Sequence, residues 1–269
     1  MVMRDIDVRG RKVQLFEAGE GAPLLYLHGI ADTHGLLEQP TDLLESLAQN
    51  NRVIAPAHPG CAGTAEDQSL EAIEDLVYHT LEVIDALELD RFAIVGNCIG
   101  GWLAAEIAVR HPEKVKNLGL ISPSGLAVSG ALTGDLFMAI QPLDGTAIDA
   151  RNMLFADGSS ELANKVVADE TSGIKEGLMR YQVFRFSARI GFTPPYFYHP
   201  KLKDRLYRYS GRARIVTGAK NAFVPVDHAE TYSDGFPGGG LALIENCGHA
   251  VHLENPDAVA QELNGFLDG

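Results

Sequence analysis

Short apolar runs bounded by turn residues recur along the chain: Lys12 to Phe16, Leu24 to Leu27, Val53 to Ala55, Phe92 to Val95, Leu118 to Ile121, Arg214 to Thr217 and Leu241 to Ile244. Runs of this length predict buried strands. Between two of them, Leu70, Ile73, Val77, Leu81, Ile84 and Leu87 follow one another at spacings of three and four, which lays an apolar stripe along one helix face. Strand and helix alternate in this way over much of the chain. The alternation predicts an α/β fold with a mostly parallel central sheet flanked by helices, because a parallel crossover needs a connection of helix length.

The pattern lapses after Leu118–Ile121 and resumes only at Ala213. A structureless loop of roughly 90 residues is improbable inside a compact domain. Helix-like patches such as Glu161 to Ala168 instead predict an inserted helical cap over residues 123–212, set on a core made of 1–122 and 213–269. Gly145, Gly158, Gly173 and the Pro194-Pro195 pair interrupt that cap, and Gly238-Gly239-Gly240 reads as a turn before the last strand.

The chain has 269 residues, 46% of them hydrophobic, and a formal net charge of −14. This balance predicts a globular protein with a sizeable core and excludes disorder or a disulfide scaffold. An acidic chain without a Lys/Arg run would repel phosphate backbones, so nucleic acid is not an expected partner. The opening MVMRDIDVRGRKVQLF carries charges every few residues, and no later stretch nears the roughly 20 apolar residues of a membrane span. A cytoplasmic protein without membrane partners is the expectation. Cys61, Cys98 and Cys247 are widely spaced and form no CxxC pair, which predicts neither a zinc site nor a disulfide. His249 and His252, three apart, lack a third metal ligand in the sequence. No cofactor is expected.

The segment richest in chemistry is Phe92-Ala-Ile-Val-Gly96-Asn97-Cys98-Ile99-Gly100-Gly101-Trp102, followed by a helical run from Leu103 to Arg110. A strand passes into a helix through Gly-x-Cys-x-Gly-Gly. This is the spacing of a nucleophile elbow, with Cys98 where serine usually stands. The central residue of such a turn is strained and raised above the sheet, and Gly96 and Gly100 remove the side chains that would collide across it. The free N–H groups at the start of the following helix favour a thiolate at Cys98.

At these residues the chain resembles the α/β-hydrolase family, over nearly its whole length. Leu25-Tyr-Leu-His28-Gly29-Ile30 is similar to the family's strand and oxyanion loop, which implies that the backbone N–H groups of Ile30 and Ile99 hold a developing oxyanion. Val216-Thr-Gly218-Ala-Lys-Asn221-Ala-Phe-Val224-Pro225 resembles the segment bearing the acidic member of the triad. Glu245-Asn-Cys247-Gly248-His249 resembles the loop bearing the catalytic histidine. Asparagine at 221 and cysteine at 98 both depart from the family's commoner residues, and Ala55-Pro-Ala57-His58-Pro59-Gly60 follows its supporting loop only loosely. The resemblance implies a Cys98, His249, Asn221 triad in which Asn221 orients the imidazole, as in papain-like sites. Asp227 or a more distant carboxylate is the competing orienter.

A thiol nucleophile has consequences for the substrate. The tetrahedral intermediate expels whichever group has the lower pKa, so simple alkyl esters revert while thioesters, aryl esters and enol lactones proceed. The expected function is hydrolysis of activated acyl substrates through a Cys98 thioester. An acyltransferase or cyclase using the same intermediate is one alternative, and a ligand-binding homologue with weak catalysis is another. His28 and Trp102 are candidates for the substrate pocket, although His28 fits a structural role in the oxyanion loop and Trp102 fits a core filler. His34, His58, His228 and His252 read as ordinary surface or loop histidines, Asp32 as an exposed loop carboxylate, and Cys61 and Cys247 as small buried hydrophobes. Phe184, Phe186 and Pro195-Tyr196-Phe197-Tyr198 supply aromatic surface either to close over an acyl group or to pack cap on core.

Overall fold

A computed structural model describes residues 2–32, 41–127, 147–169 and 174–267. His34, Gly145 and Gly173 lie outside them. Eight strands form one sheet: β1 (Val2–Val8), β2 (Arg11–Ala18), β3 (Ala22–Leu27), β4 (Asn51–Pro56), β5 (Phe92–Asn97), β6 (Val115–Ile121), β7 (Arg212–Gly218) and β8 (Gly238–Ile244). Their order is β1-β2-β4-β3-β5-β6-β7-β8, antiparallel from β1 to β4 and parallel from there on.

Helices cover both faces, as the alternation predicted. One face buries Leu76, Val77 and Ile84 of α2 (Ile73–Ala86) and Leu103 and Ile107 of α3 (Ile99–Arg110). The other buries Leu43, Leu44 and Leu47 of α1 (Asp42–Leu47) and Leu263 and Phe266 of the final helix, Pro256–Leu267. β5 is buried along its entire length, which explains why it reads as a continuous apolar run.

β1 has no counterpart among the sequence-predicted strands. It is an edge strand whose side chains are mostly exposed, so no buried face imposes an apolar pattern. A two-residue turn at Arg9 and Gly10, both with positive φ, joins it to β2. The glycine run read as a turn belongs to β8, with Gly238, Gly239 and Gly240 paired to Arg212, Ala213 and Arg214. A Cβ on Gly239 would stand 2.0 Å from the Ser233 carbonyl oxygen, so the close approach of a neighbouring helix explains glycine within a strand.

Between β6 and β7 the structure places helices α4 (Ile148–Leu154), α5 (Glu161–Val166) and α6 (Ile174–Gly191) and a 3-10 turn at Lys203–Arg208. Leu154, Phe155, Ala163 and Val167 pack against Ile30, Cys98 and Phe223 of the core. The insertion therefore lies over the elbow. Beyond β7 come α7 (Val226–Gly235), then, after β8, α8 (Val251–Glu254) and α9 (Pro256–Leu267). Among the described residues, no helix is long and apolar enough to cross a membrane.

Candidate active site

Cys98 sits between β5 and α3 with φ 52° and ψ −115°, a strained conformation for a residue with a side chain. The turn closes only because its glycines lack Cβ atoms. One on Gly96 would lie 2.2 Å from the Gly100 carbonyl oxygen, and one on Gly100 would lie 2.1 Å from that of Leu27. Backbone N–H groups of Ile30 and Ile99 face the Cys98 sulfur and favour its ionised form. The Ser124 hydroxyl acts in the same direction without reaching full hydrogen-bond geometry. Ser124 escaped the sequence reading because nothing in its own segment marks it.

Burial outweighs these donors. Cys98 is 2% exposed, and desolvation pushes its thiol up to about 11. The resting group is thus a thiol, against the thiolate expected from the helix N-terminus. His249 is fully buried and pushed down to about 3, first by desolvation and then by the charge of His252. Both partners are neutral near pH 7.

The elbow and the histidine loop meet through several contacts. Phe223 packs edge-on against the His249 ring, centroids 4.7 Å apart, and shares a buried cluster with Cys98 and Ala250. The side-chain amide of Asn97, next to Cys98, lies 3.1 Å from Nε2 of His252.

Asn221 does not join them. Its Nδ2 donates to Oγ1 of Thr217 at 3.0 Å, and its Oδ1 accepts the Val224 N–H at 3.0 Å. Both ends of the amide hold the turn after β7, and neither ring nitrogen of His249 has a hydrogen-bond partner among the described residues. The expected Asn221–His249 hydrogen bond is therefore not formed. Asp227, the competing orienter, is exposed on the first turn of α7.

Trp102 and His28 take the structural roles expected as the alternative to the pocket, whereas Asp32, His58 and His228 are buried rather than exposed or surface groups. Trp102 is buried in the core, its indole N–H donating to the buried carboxylate of Glu106 at 3.1 Å and its ring filling the space a Cβ on Gly125 would need. His28 accepts the His58 backbone N–H at 3.0 Å on its Nε2 and so braces the segment leading to Ile30. His58 is buried rather than a surface group, stacked on Phe186 at 4.6 Å between ring centroids. Phe186 and Phe197 are buried by packing. His228 is buried with its Nε2 2.8 Å from the Leu126 carbonyl oxygen. Asp32 is completely buried and accepts a hydrogen bond from the Tyr26 hydroxyl, while its charge opposes the downward push of burial on buried His252. Among the described residues, no group of three or more His, Cys, Asp or Glu side chains could hold a metal ion.

The elbow, the paired N–H groups and the histidine loop coincide with a family match. Residues 24–262 fit the model of the alpha/beta hydrolase family. The chain belongs to that family. This alpha/beta hydrolase is 27% identical over 279 residues to the 2-hydroxymuconate semialdehyde hydrolase of Pseudomonas sp. (strain CF600), covering 98% of this chain and 93% of the relative. It is 26% identical over 273 residues to the 2-hydroxy-6-oxo-2,4-heptadienoate hydrolase of a Pseudomonas putida strain, covering 96% and 93% of the two chains. Its fold is similar to that of a meta-cleavage product hydrolase from Pseudomonas fluorescens IP01, with TM-score 0.79, 20% identity and coverage of 98% and 97%.

Proposed function

We propose that this alpha/beta hydrolase cleaves activated carboxylic acyl compounds through a thioester on Cys98. The observation that carries the reading is the strained cysteine held opposite the Ile30 and Ile99 N–H groups, beside the loop of His249. With both groups neutral at rest, the thiol gives its proton to the imidazole as sulfur attacks the carbonyl carbon. The carbonyl electron pair moves onto oxygen and is held by the two N–H groups. Collapse breaks the bond to the leaving group, which takes the proton from the imidazolium. Water then attacks the thioester as His249 removes its proton, and the departing Cys98 sulfur takes that proton from the imidazolium. No cofactor enters this sequence.

The names of the relatives add oxo-dienoates to thioesters, aryl esters and enol lactones as substrates worth presenting. A second reading, a ligand-binding homologue with weak catalysis, is favoured by one observation: His249 has no hydrogen-bonded orienter among the described residues. Intact-mass spectrometry with a panel of these compounds separates the two. Hydrolysis predicts an acyl adduct on Cys98 that turns over and is absent from Cys98→Ala. A stoichiometric adduct without turnover supports the second reading, and faster turnover with an added amine or thiol supports acyl transfer. No adduct with any compound overturns the acyl-enzyme.

A further inference from the structure

With neither ring nitrogen of His249 hydrogen-bonded among the described residues, its placement rests on the packing of Phe223 and on the backbone on either side of it. On both sides of His249 that backbone is tied to the insertion. Glu254, the last residue of α8, accepts the Gly248 N–H on Oε2 at 2.6 Å and the Ala156 N–H on Oε1 at 2.8 Å. The Ala250 N–H donates to the Leu154 carbonyl oxygen at 2.8 Å. Gly248 allows the approach, since a Cβ there would lie 2.7 Å from the Ala156 nitrogen. The loop bearing His249 is thus supported by the chain just after α4 as well as by the core.

We propose that Glu254 is a positioning residue for His249, its single carboxylate clamping the histidine loop and the helical insertion into one unit. The inference rests on the reading that His249 serves Cys98. Only a carboxylate suits the geometry, because it presents an acceptor to each N–H, whereas Gln would present one acceptor and one donor. Burial raises the Glu254 carboxyl against the lowering effect of the two N–H groups and of Lys220, and Cys247 is the other titratable group feeling its charge. Protonation would remove one acceptor and loosen the clamp as pH falls.

The test follows amide hydrogen exchange in the full chain. In Glu254→Gln, segments 154–157 and 247–250 should exchange faster together, by about tenfold, as loss of one charged hydrogen bond implies, while α2 and α3 stay protected. Acidification should lower the protection factors of both segments in the parent, after correction for the intrinsic slowing of exchange, and leave those of Glu254→Gln unchanged. Acceleration confined to 247–250, or to neither segment, overturns the clamp. Glu254→Gln should also acylate with 4-nitrophenyl acetate about tenfold more slowly at saturation with unchanged KM. An unchanged acylation rate overturns the positioning role. If the parent itself forms no adduct, the proposed reaction fails, while the exchange data still decide the clamp.

Discussion

The Cys98 sulfur shows two effects in competition at one atom. A helix N-terminus stabilises a nearby negative charge by about 0.3–1 kcal/mol, up to about 2 in partly buried sites. Moving the thiol from its ordinary value of 9.0 to about 11 corresponds to roughly 3 kcal/mol against ionisation, net of the N–H donors. Burial wins, and that outcome depends on Phe155, Phe223 and other residues remote in sequence. Asn221 carries a related lesson. Its position after β7 was legible, but its side-chain partners, Thr217 and the Val224 N–H, stabilise the turn. Asn221→Leu should therefore lower unfolding stability by about 1–3 kcal/mol by leaving a buried N–H unpaired, whereas Asn221→Asp, which keeps that acceptor, should cost less. Denaturant unfolding of the two variants measures the difference, and equal stability would show that the amide is idle. The elbow turn and the histidine loop could be located because glycines at fixed offsets accompany Cys98 and His249. Asp32, His58 and His252 could not, since what buries them is Tyr26, Phe186 and Asn97, each distant or unmarked in the sequence.

The strand, elbow and helix from Phe92 to Arg110 act as one element, because the turn between them has no spare volume. Gly96→Ala would place a methyl carbon 2.2 Å from the Gly100 carbonyl oxygen, which belongs to backbone that cannot rotate aside. The expected cost is at least the roughly 1–3 kcal/mol of an overpacked core, with displacement of Cys98 from the Ile30 and Ile99 N–H groups. Thermal unfolding should register the loss. Cys98 alkylation in the surviving folded protein should change with it, and normal values of both would mean that the turn has another closed form. Elements with a buried apolar face were readable in advance. β1 was not, being a polar edge hairpin, nor was the start of β8, where glycines serve a close helix contact.

At the scale of the molecule, burial of imidazoles couples stability to pH. His58, His79, His228, His249 and His252 are all pushed below 6.5, each chiefly by desolvation, with His228 at about 4 and His249 at about 3. Between those values and 6.5 the unfolded chain binds protons that the folded chain refuses, so stability rises with pH and is lost on acidification. Charge works the other way: a chain of formal charge −14 repels itself, and acid relieves that repulsion. Salt separates the two effects, because at about 0.15 M it already screens exposed charges beyond about 8 Å but hardly reaches buried rings. In high salt, unfolding free energy should therefore fall from pH 7 to 5 with a slope that reaches at least nearly two protons from His228 and His249, on the order of 3 kcal/mol per pH unit, with the other three rings adding to it. The lowered carboxylates, Glu17, Asp67, Glu106, Glu113 and Asp157, have ordinary values of 3.8 to 4.5 and add their share mainly below that window. His79→Gln, remote from the elbow on α2, should reduce the slope by up to one proton. A flat profile from pH 7 to 5 would mean that water or relaxation lets the buried rings titrate normally, and the neutral His249 assigned to the resting site would lose its basis with them.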